Sequence, residues 1–135
     1  MRKILLLIFC LPVMLCVGGC SADKAQSPQK QSVYKNITAE EAKDIIDTES
    51  GYLILDVRTQ EEFEQGHIPN AVNLDYQEIA QKAEEVLPDK NQKILIYCRS
   101  GRRSKIAAQE LLDMGYTSLY EFGGIIDWPY DTVTE

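Results

Sequence analysis

The chain has 135 residues, 44% of them hydrophobic, with 21 acidic against 14 basic side chains and a formal net charge of -7. That length suits one domain with its own core. The charge balance argues against a general nucleic-acid binder, which needs broad positive potential.

The N-terminus has its own logic. Met1-Arg2-Lys3 is a short basic start, Ile4 to Val17 is almost wholly apolar, and Gly18-Gly19-Cys20 follows. This is the layout of a secretory signal. The apolar run is too short to span a bilayer comfortably, which takes about 20 residues. The stretch "VGGC" resembles the lipobox of bacterial lipoprotein signal peptides, with Val17 where Leu is commoner. The resemblance implies a signal peptide over residues 1–19, acylation of Cys20 and a membrane anchor through that lipid. The protein would then sit on the extracytoplasmic side of a bacterial membrane, and Ser21 would permit outer-membrane sorting. The competing reading is an uncleaved anchor with a chance cysteine.

Cysteine usage bears on the same point. Of Cys10, Cys16, Cys20 and Cys98, the first two would leave with the signal and Cys20 would carry lipid. Cys98 then has no partner within the chain, and an exported protein with one unpaired thiol needs a reason to keep it. "SADKAQSPQKQS", Ser21 to Ser32, holds no large apolar residue and reads as a flexible tether after Cys20, leaving residues 33–134 as the folded unit.

Within that unit, two patterns alternate. Thr38 and Glu41 form a capping box that opens a helix running to Ile46 or Asp47. After Gly51, "YLILDV" (Tyr52 to Val57) is a short apolar run with strand character. Thr59 and Glu62 form a second capping box, starting a short helix that Gly66 ends. "AVNL" (Ala71 to Leu74) is strand-like, and Gln77 to Leu87 is helical up to Pro88. "KILIY" (Lys93 to Tyr97) is the clearest strand. Ser104 to Met114 forms a helix stopped by Gly115, with Ala107, Leu111 and Met114 on one face. A last short strand is expected near Ser118 to Tyr120. Apolar runs of this kind suit strands buried on both faces, and their alternation with helices predicts an α/β fold with a parallel sheet.

Ligands in such sheets bind beyond the carboxyl ends of the strands. "YCRSGRRSK", residues 97–105, lies at such an end. Cys98 closes the strand. Ser100 and Gly101 are small enough for successive N–H groups to turn inward as an anion-binding nest, and the helix behind adds its unpaired amides and the positive end of its dipole. Arg99, Arg102, Arg103 and Lys105 add full charges. A thiol in that field ionises more readily than a free one, whose pKa is near 8.5. The cluster would both raise the thiolate fraction of Cys98 and draw an anionic substrate to an outward-facing sulfur. The plainer reading is a small core hydrophobe beside a solvated basic face.

The residues now match a family. "CRSGRRS" (Cys98 to Ser104) resembles the active-site loop of the rhodanese, or sulfurtransferase, family. "LILDVRTQEEFEQGHIPNAVNL", Leu53 to Leu74, is similar to its D-V-R, E-F and G-H-I-P blocks, and "GGIIDW", Gly123 to Trp128, to its closing signature. Asn70 stands where the family usually has Gly, a turn position that Asn tolerates. The resemblance implies a single rhodanese-like domain, a three-layer α/β fold with a small parallel sheet flanked by helices. It implies that Cys98 takes the outer sulfur of thiosulfate or a persulfide donor and passes it to a low-molecular-weight or protein thiol, or to cyanide in an assay. The amides from Arg99 through Ser100, Gly101, Arg102 and Arg103 to Ser104 would cradle that sulfur, with no cofactor and no metal. Asp56 and Arg58 would brace the site; the plain alternative is an ion-pair pattern with Glu62 or Glu64. His67 reads as a turn residue and Trp128 as core.

Three rivals have distinguishable signatures. Phosphatase-like and arsenate-reductase-like enzymes place an Arg six residues after the Cys, where this chain has Ser104. A non-turnover relay or binding module would share the loop, although inactive rhodanese-like modules typically lack its cysteine. A thiol redox protein would need a second Cys to resolve mixed disulfides within its own domain.

Overall fold

The computed structural model describes residues 33–134. The expected signal segment, Cys20 and the tether lie outside them. Five parallel strands form one sheet in the order β1-β5-β4-β2-β3. In chain order the elements are β1 (Lys35–Asn36), α1 (Ala39–Thr48), β2 (Tyr52–Asp56), α2 (Gln60–Glu64) and β3 (Val72–Asn73). A 3₁₀ turn (Tyr76–Glu78) leads into α3 (Ile79–Val86), followed by β4 (Lys93–Cys98), α4 (Arg102–Asp113), β5 (Leu119–Gly124) and a closing 3₁₀ turn (Ile125–Asp127).

The central strand shows why the layers number three. Successive side chains of a strand point to opposite faces. Ile94, Ile96 and Cys98 therefore join Leu55, Ala107, Ala108 and Leu111 in the core under α3 and α4. Leu95 and Tyr97 face the other way, into a second core with Ala42 of α1, Ile54, Phe122 and Trp128. All five residues from Ile94 to Cys98 are buried, as the unbroken apolar run requires. Fully burying one such side chain stabilises the fold by about 1.5–3 kcal/mol.

Both capping boxes form. Thr38 Oγ1 accepts from the Glu41 amide at 3.1 Å, and Glu41 Oε2 from the Thr38 amide at 2.8 Å. The Thr59–Glu62 pair repeats this at 3.3 and 3.1 Å. Asn70 takes φ 66°, the left-handed turn geometry expected of it.

Most element ends lie within a residue or so of the sequence reading, and four places depart from it in kind or by more. β1 was not expected: its two residues are exposed and polar, and only backbone pairing with Tyr120 and Glu121 marks it as a strand. The segment from Gln77 begins as a 3₁₀ turn capped by Asp75, whose Oδ1 accepts from the Gln77 amide at 2.9 Å. α4 starts at Arg102, two residues earlier than Ser104, because Gly101 takes φ 98° as its N-cap and turns the chain directly into the helix. β5 runs to Gly124, well past Tyr120, because a register shift between Ile96 and Cys98 brings Gly124 opposite Cys98. The carboxyl ends of β4 and β5 therefore meet beside the loop.

Candidate active site

Cys98 ends β4, and the chain turns through Arg99, Ser100 and Gly101 into α4. The left-handed geometry of Gly101 aims its own N–H back at Cys98 Sγ, 3.0 Å away. The sulfur in turn donates to Ser104 Oγ at 3.4 Å, one turn into the helix. Burial pushes the Cys98 thiol up; the Ser104 side chain and the amides of Ser104, Gly101 and Ser100 outweigh it and leave the thiol below its ordinary range. Amides that donate to the charged form favour it. The direction of the shift is the one the sequence implied.

Two features of the expected site are corrected. Cys98 does not face outward: it is 1% exposed and packs with Ala107 and Ala108. The guanidinium of Arg103 does not reach for substrate either. It forms a two-pronged pair with Glu62 of α2, Nη1 to Oε2 at 2.7 Å and Nη2 to Oε1 at 2.8 Å. That hydrogen-bonded pair holds the Glu62 carboxyl down at about 2, although partial burial works against it. Arg99, Arg102 and Lys105 do stay exposed, and among the described residues they form no ion pair. The sulfur's immediate partners are thus amides and a hydroxyl, with the free cations on the rim.

The β4–β5 junction fixes the loop from behind. A Cβ on Gly124 would lie 1.9 Å from the Arg99 carbonyl oxygen and 2.5 Å from the Ser100 nitrogen. Only glycine fits there, a steric reason for Gly124; Gly123 before it takes φ 89°, the left-handed region that favours glycine. The Arg99 carbonyl also accepts from the Ile126 amide at 3.3 Å.

Asp56 and Arg58 do not pair with Glu62 or Glu64 as the alternative reading had it. They pair with each other in the buried interior, Nη2 to Oδ2 at 2.6 Å and Nε to both carboxylate oxygens at 3.0 Å. Arg58 Nη2 also donates to the Gly66 carbonyl at 2.7 Å, tying the end of α2 to the carboxyl end of β2. Asp56 is in register with Tyr97, the residue before Cys98. Tyr97 has its hydroxyl buried, accepting from the Ile68 amide at 3.1 Å. A cleft of about 530 Å³ runs along this side, lined among others by Arg58, Glu62, Arg99, Ile126 and Tyr130.

His67 lies against Phe63, ring centroids 3.7 Å apart, with Nδ1 on the Phe63 carbonyl at 2.9 Å. Its backbone bridges to Val133. It makes no hydrogen bond to Cys98, so its part is structural. Trp128 packs on Phe122 in the core as expected.

Two residues of the site escaped sequence reasoning. The sequence offers Glu62 as a helix cap and as an ion-pair alternative for Asp56 and Arg58, not as a partner of Arg103; it caps α2 and pairs with Arg103 at once. Glu121 of β5 is 2% exposed, accepts from Ser104 Oγ at 2.6 Å and from the Gly123 amide at 2.9 Å. The available signal was a lone acid in the apolar run "LYEF".

The chain is similar to known proteins in sequence and fold. The model of the "Rhodanese-like domain" matches residues 38–129. The "Thiosulfate sulfurtransferase PspE" of Escherichia coli is 37% identical over 54% of this chain and 70% of its own length. The "Thiosulfate sulfurtransferase GlpE" of Coxiella burnetii is 33% identical over 71% of this chain and 88% of its own length. A solved structure described as "rhodanese with anions from E. coli" aligns with a TM-score of 0.58 at 33% identity, over 62% of this chain and 99% of that one. The chain belongs to the rhodanese-like domain family.

Proposed function

We propose that this chain is a sulfurtransferase that moves a sulfane sulfur from thiosulfate or a persulfide donor, through a persulfide on Cys98, to a thiol acceptor. The observation that carries this reading is the Gly101 amide on Cys98 Sγ at 3.0 Å, at the N-terminus of α4. The thiolate attacks the outer sulfur of thiosulfate. A new S–S bond forms to Sγ, the old S–S bond breaks, and its electron pair leaves with sulfite. The acceptor thiolate then attacks the outer sulfur, and the pair from the broken bond returns to Sγ. Dividing the transfer into two displacements is covalent catalysis, and inward amides stabilise the charge at both stages. Two relatives with thiosulfate sulfurtransferase in their names support the substrate class.

The phosphatase-like alternative loses further ground because Ser104, at the position that would need an Arg, is committed to Cys98 and Glu121. The test of the reading is intact mass. Protein treated with thiosulfate is expected to gain one sulfur, located by fragmentation on the Cys98 peptide, and to lose it to cyanide. Failure to gain sulfur from thiosulfate or any persulfide donor refutes the assignment.

Rim charge and loop packing yield two further expectations. Arg102→Glu reverses an exposed, unpaired charge, so it should lower kcat/KM for thiosulfate more at low than at high ionic strength; an equal loss at both would remove the steering role. Gly124→Ala places a methyl group on the backbone of the loop. The loop must move by about an ångström, and misplacement of that size costs about a hundredfold in rate. Single-turnover sulfur loading checks this, and an unchanged rate would mean the loop has room that the geometry denies it.

We also propose export and lipid anchoring at Cys20, on the strength of the basic start, the apolar run and "VGGC". Labelled fatty acid should enter the wild-type protein and not Cys20→Ala. Label surviving that substitution would refute the anchor.

A further inference from the structure

The pairing of Arg58 with Asp56 leaves part of the guanidinium unused. Nε and Nη2 are committed: both donate to the Asp56 carboxylate, and Nη2 also reaches the Gly66 carbonyl at 2.7 Å. Nη1 makes no hydrogen bond among the described residues, where no buried side-chain nitrogen or oxygen lacks a partner. Nη1 must therefore reach solvent, although the side chain as a whole is only 7% exposed. Arg58 lines the cleft of about 530 Å³ described above. Buried polar groups are normally hydrogen-bonded throughout. A buried cation held rigid by its partners, with two N–H donors left open to a cleft, is one that a ligand can complete.

The rest of the cleft says which ligand. Arg99, the residue after the nucleophile, lines it with an exposed guanidinium that forms no ion pair among the described residues. Glu62 lines it too, but the Arg103 fork holds both of its oxygens. Arg99 is thus the cleft's uncompensated charge. Ile126, 63% exposed, and Tyr130 add apolar surface. The Ile126 amide donates to the Arg99 carbonyl at 3.3 Å, which ties that surface to the loop carrying Cys98. An inorganic donor such as thiosulfate has no use for an apolar wall and fills little of such a volume. A ligand with an organic body and an anionic end uses both.

We propose that this cleft is the acceptor subsite, where Arg58 Nη1 and Arg99 hold the carboxylate of a small carboxylated thiol while its sulfur discharges Cys98. This deepens the sulfurtransferase reading and rests on it. The guanidinium fork matches a planar carboxylate, and the carbon body lies on Ile126 and Tyr130. The acceptor thiol gives its proton to water, and its thiolate attacks the outer sulfur of the persulfide. A new S–S bond forms on the acceptor, the bond to Sγ breaks, and its electron pair returns to Sγ. Asp56 and the Gly66 carbonyl already fix Arg58, so little freedom is lost when the carboxylate docks. The Asp56–Arg58 pair then both braces the site and reads the acceptor.

The test loads Cys98 with sulfur, removes the donor, and times discharge by intact mass. The acceptors are mercaptopropionate, mercaptoethanol and cysteamine, matched in size and respectively anionic, neutral and cationic. Per thiolate, mercaptopropionate should discharge the persulfide about tenfold faster than mercaptoethanol, the worth of one charge-assisted hydrogen bond. Cysteamine should be slowest. Arg99→Gln should shrink the preference for the anionic thiol. Removing Arg58 would strand Asp56, so its part is read on the wild-type protein: its side-chain N–H resonances should shift on titration with propionate and not with propanol. Equal rates for the anionic and neutral thiols, an undiminished preference in Arg99→Gln, or Arg58 resonances that ignore propionate would each overturn the proposal. So would propionate that slows loading by thiosulfate and not discharge by mercaptopropionate, which would give the cleft to the donor. Protein that takes up no sulfur would sink the sulfurtransferase reading, and the propionate titration, made on unloaded protein, would still decide whether the carboxylate site exists.

Discussion

Cys98→Ser is expected to abolish sulfur loading outright while leaving the fold in place. An alcohol is a far weaker nucleophile than a thiolate at neutral pH and cannot form a persulfide. The replacement hydroxyl has ready partners, the Gly101 amide and Ser104 Oγ, which now hold the sulfur. It therefore avoids the penalty of a buried polar group without a hydrogen bond. Intact mass after thiosulfate treatment should show no added sulfur, and circular dichroism should show an unchanged fold. Sulfur appearing on the variant would move the chemistry elsewhere in the chain.

Arg58→Met is expected to give the largest loss of stability. The substitution leaves the Asp56 carboxylate, 0% exposed, without its guanidinium. Breaking a buried ion pair by removing one partner costs about 3–5 kcal/mol, because the remaining charge stays desolvated. The Gly66 carbonyl also loses its donor. The double variant Asp56→Asn with Arg58→Met should be the more stable of the two, since no charge is then stranded. Urea denaturation of the three proteins checks both statements. A single variant within about 1 kcal/mol of wild type, the range of surface pairs, would show that the pair is not holding the carboxyl end of β2 in place. The consequence for activity follows from position: Asp56 lies in register with Tyr97, and Tyr97 leads directly into Cys98.

The parts of this architecture that local physics dictates were legible in the sequence. "KILIY" is apolar at every position but its first, and such a strand must be covered on both faces. Each Thr-x-x-Glu marked a helix start that formed as written. The loop was legible for a similar reason: small residues next to a strand-ending Cys and ahead of a helix leave few conformations that do not turn amides inward. What was not legible depends on pairing across the chain. β1 has no apolar pattern, and it exists through β5. The length of β5 was hidden by Glu121, because a charge in a short apolar run reads as the end of a strand. Only the fold reveals that Ser104 is waiting for it. Arg103 appeared to belong to the substrate, and the partner that claims it lies 41 residues away in sequence. The burial of Cys98 also had to be seen: strand alternation assigns its side chain to the α3–α4 core, while the basic loop around it suggests exposure.

That burial sharpens the role of the loop. A thiol 1% exposed among alanines should resist ionisation. It lies below the ordinary thiol range because hydrogen bonds from Ser104, Gly101 and Ser100 outweigh the loss of water. The Gly101 N–H reaches Sγ through a left-handed φ, and Gly124 keeps the space behind the loop clear. Sequence, backbone geometry and reactivity are joined at these two glycines.

The most direct measurement is the thiolate content of Cys98 at pH 7, read as ultraviolet thiolate absorbance of the reduced protein against Cys98→Ser. A free thiol with a pKa near 8.5 would be only about 3% ionised there. Inward amides that outweigh burial require a fraction well above that value. A fraction at or below it, with ionisation beginning only in the ordinary thiol range or higher, would mean that burial wins and the loop does not hold an anionic sulfur.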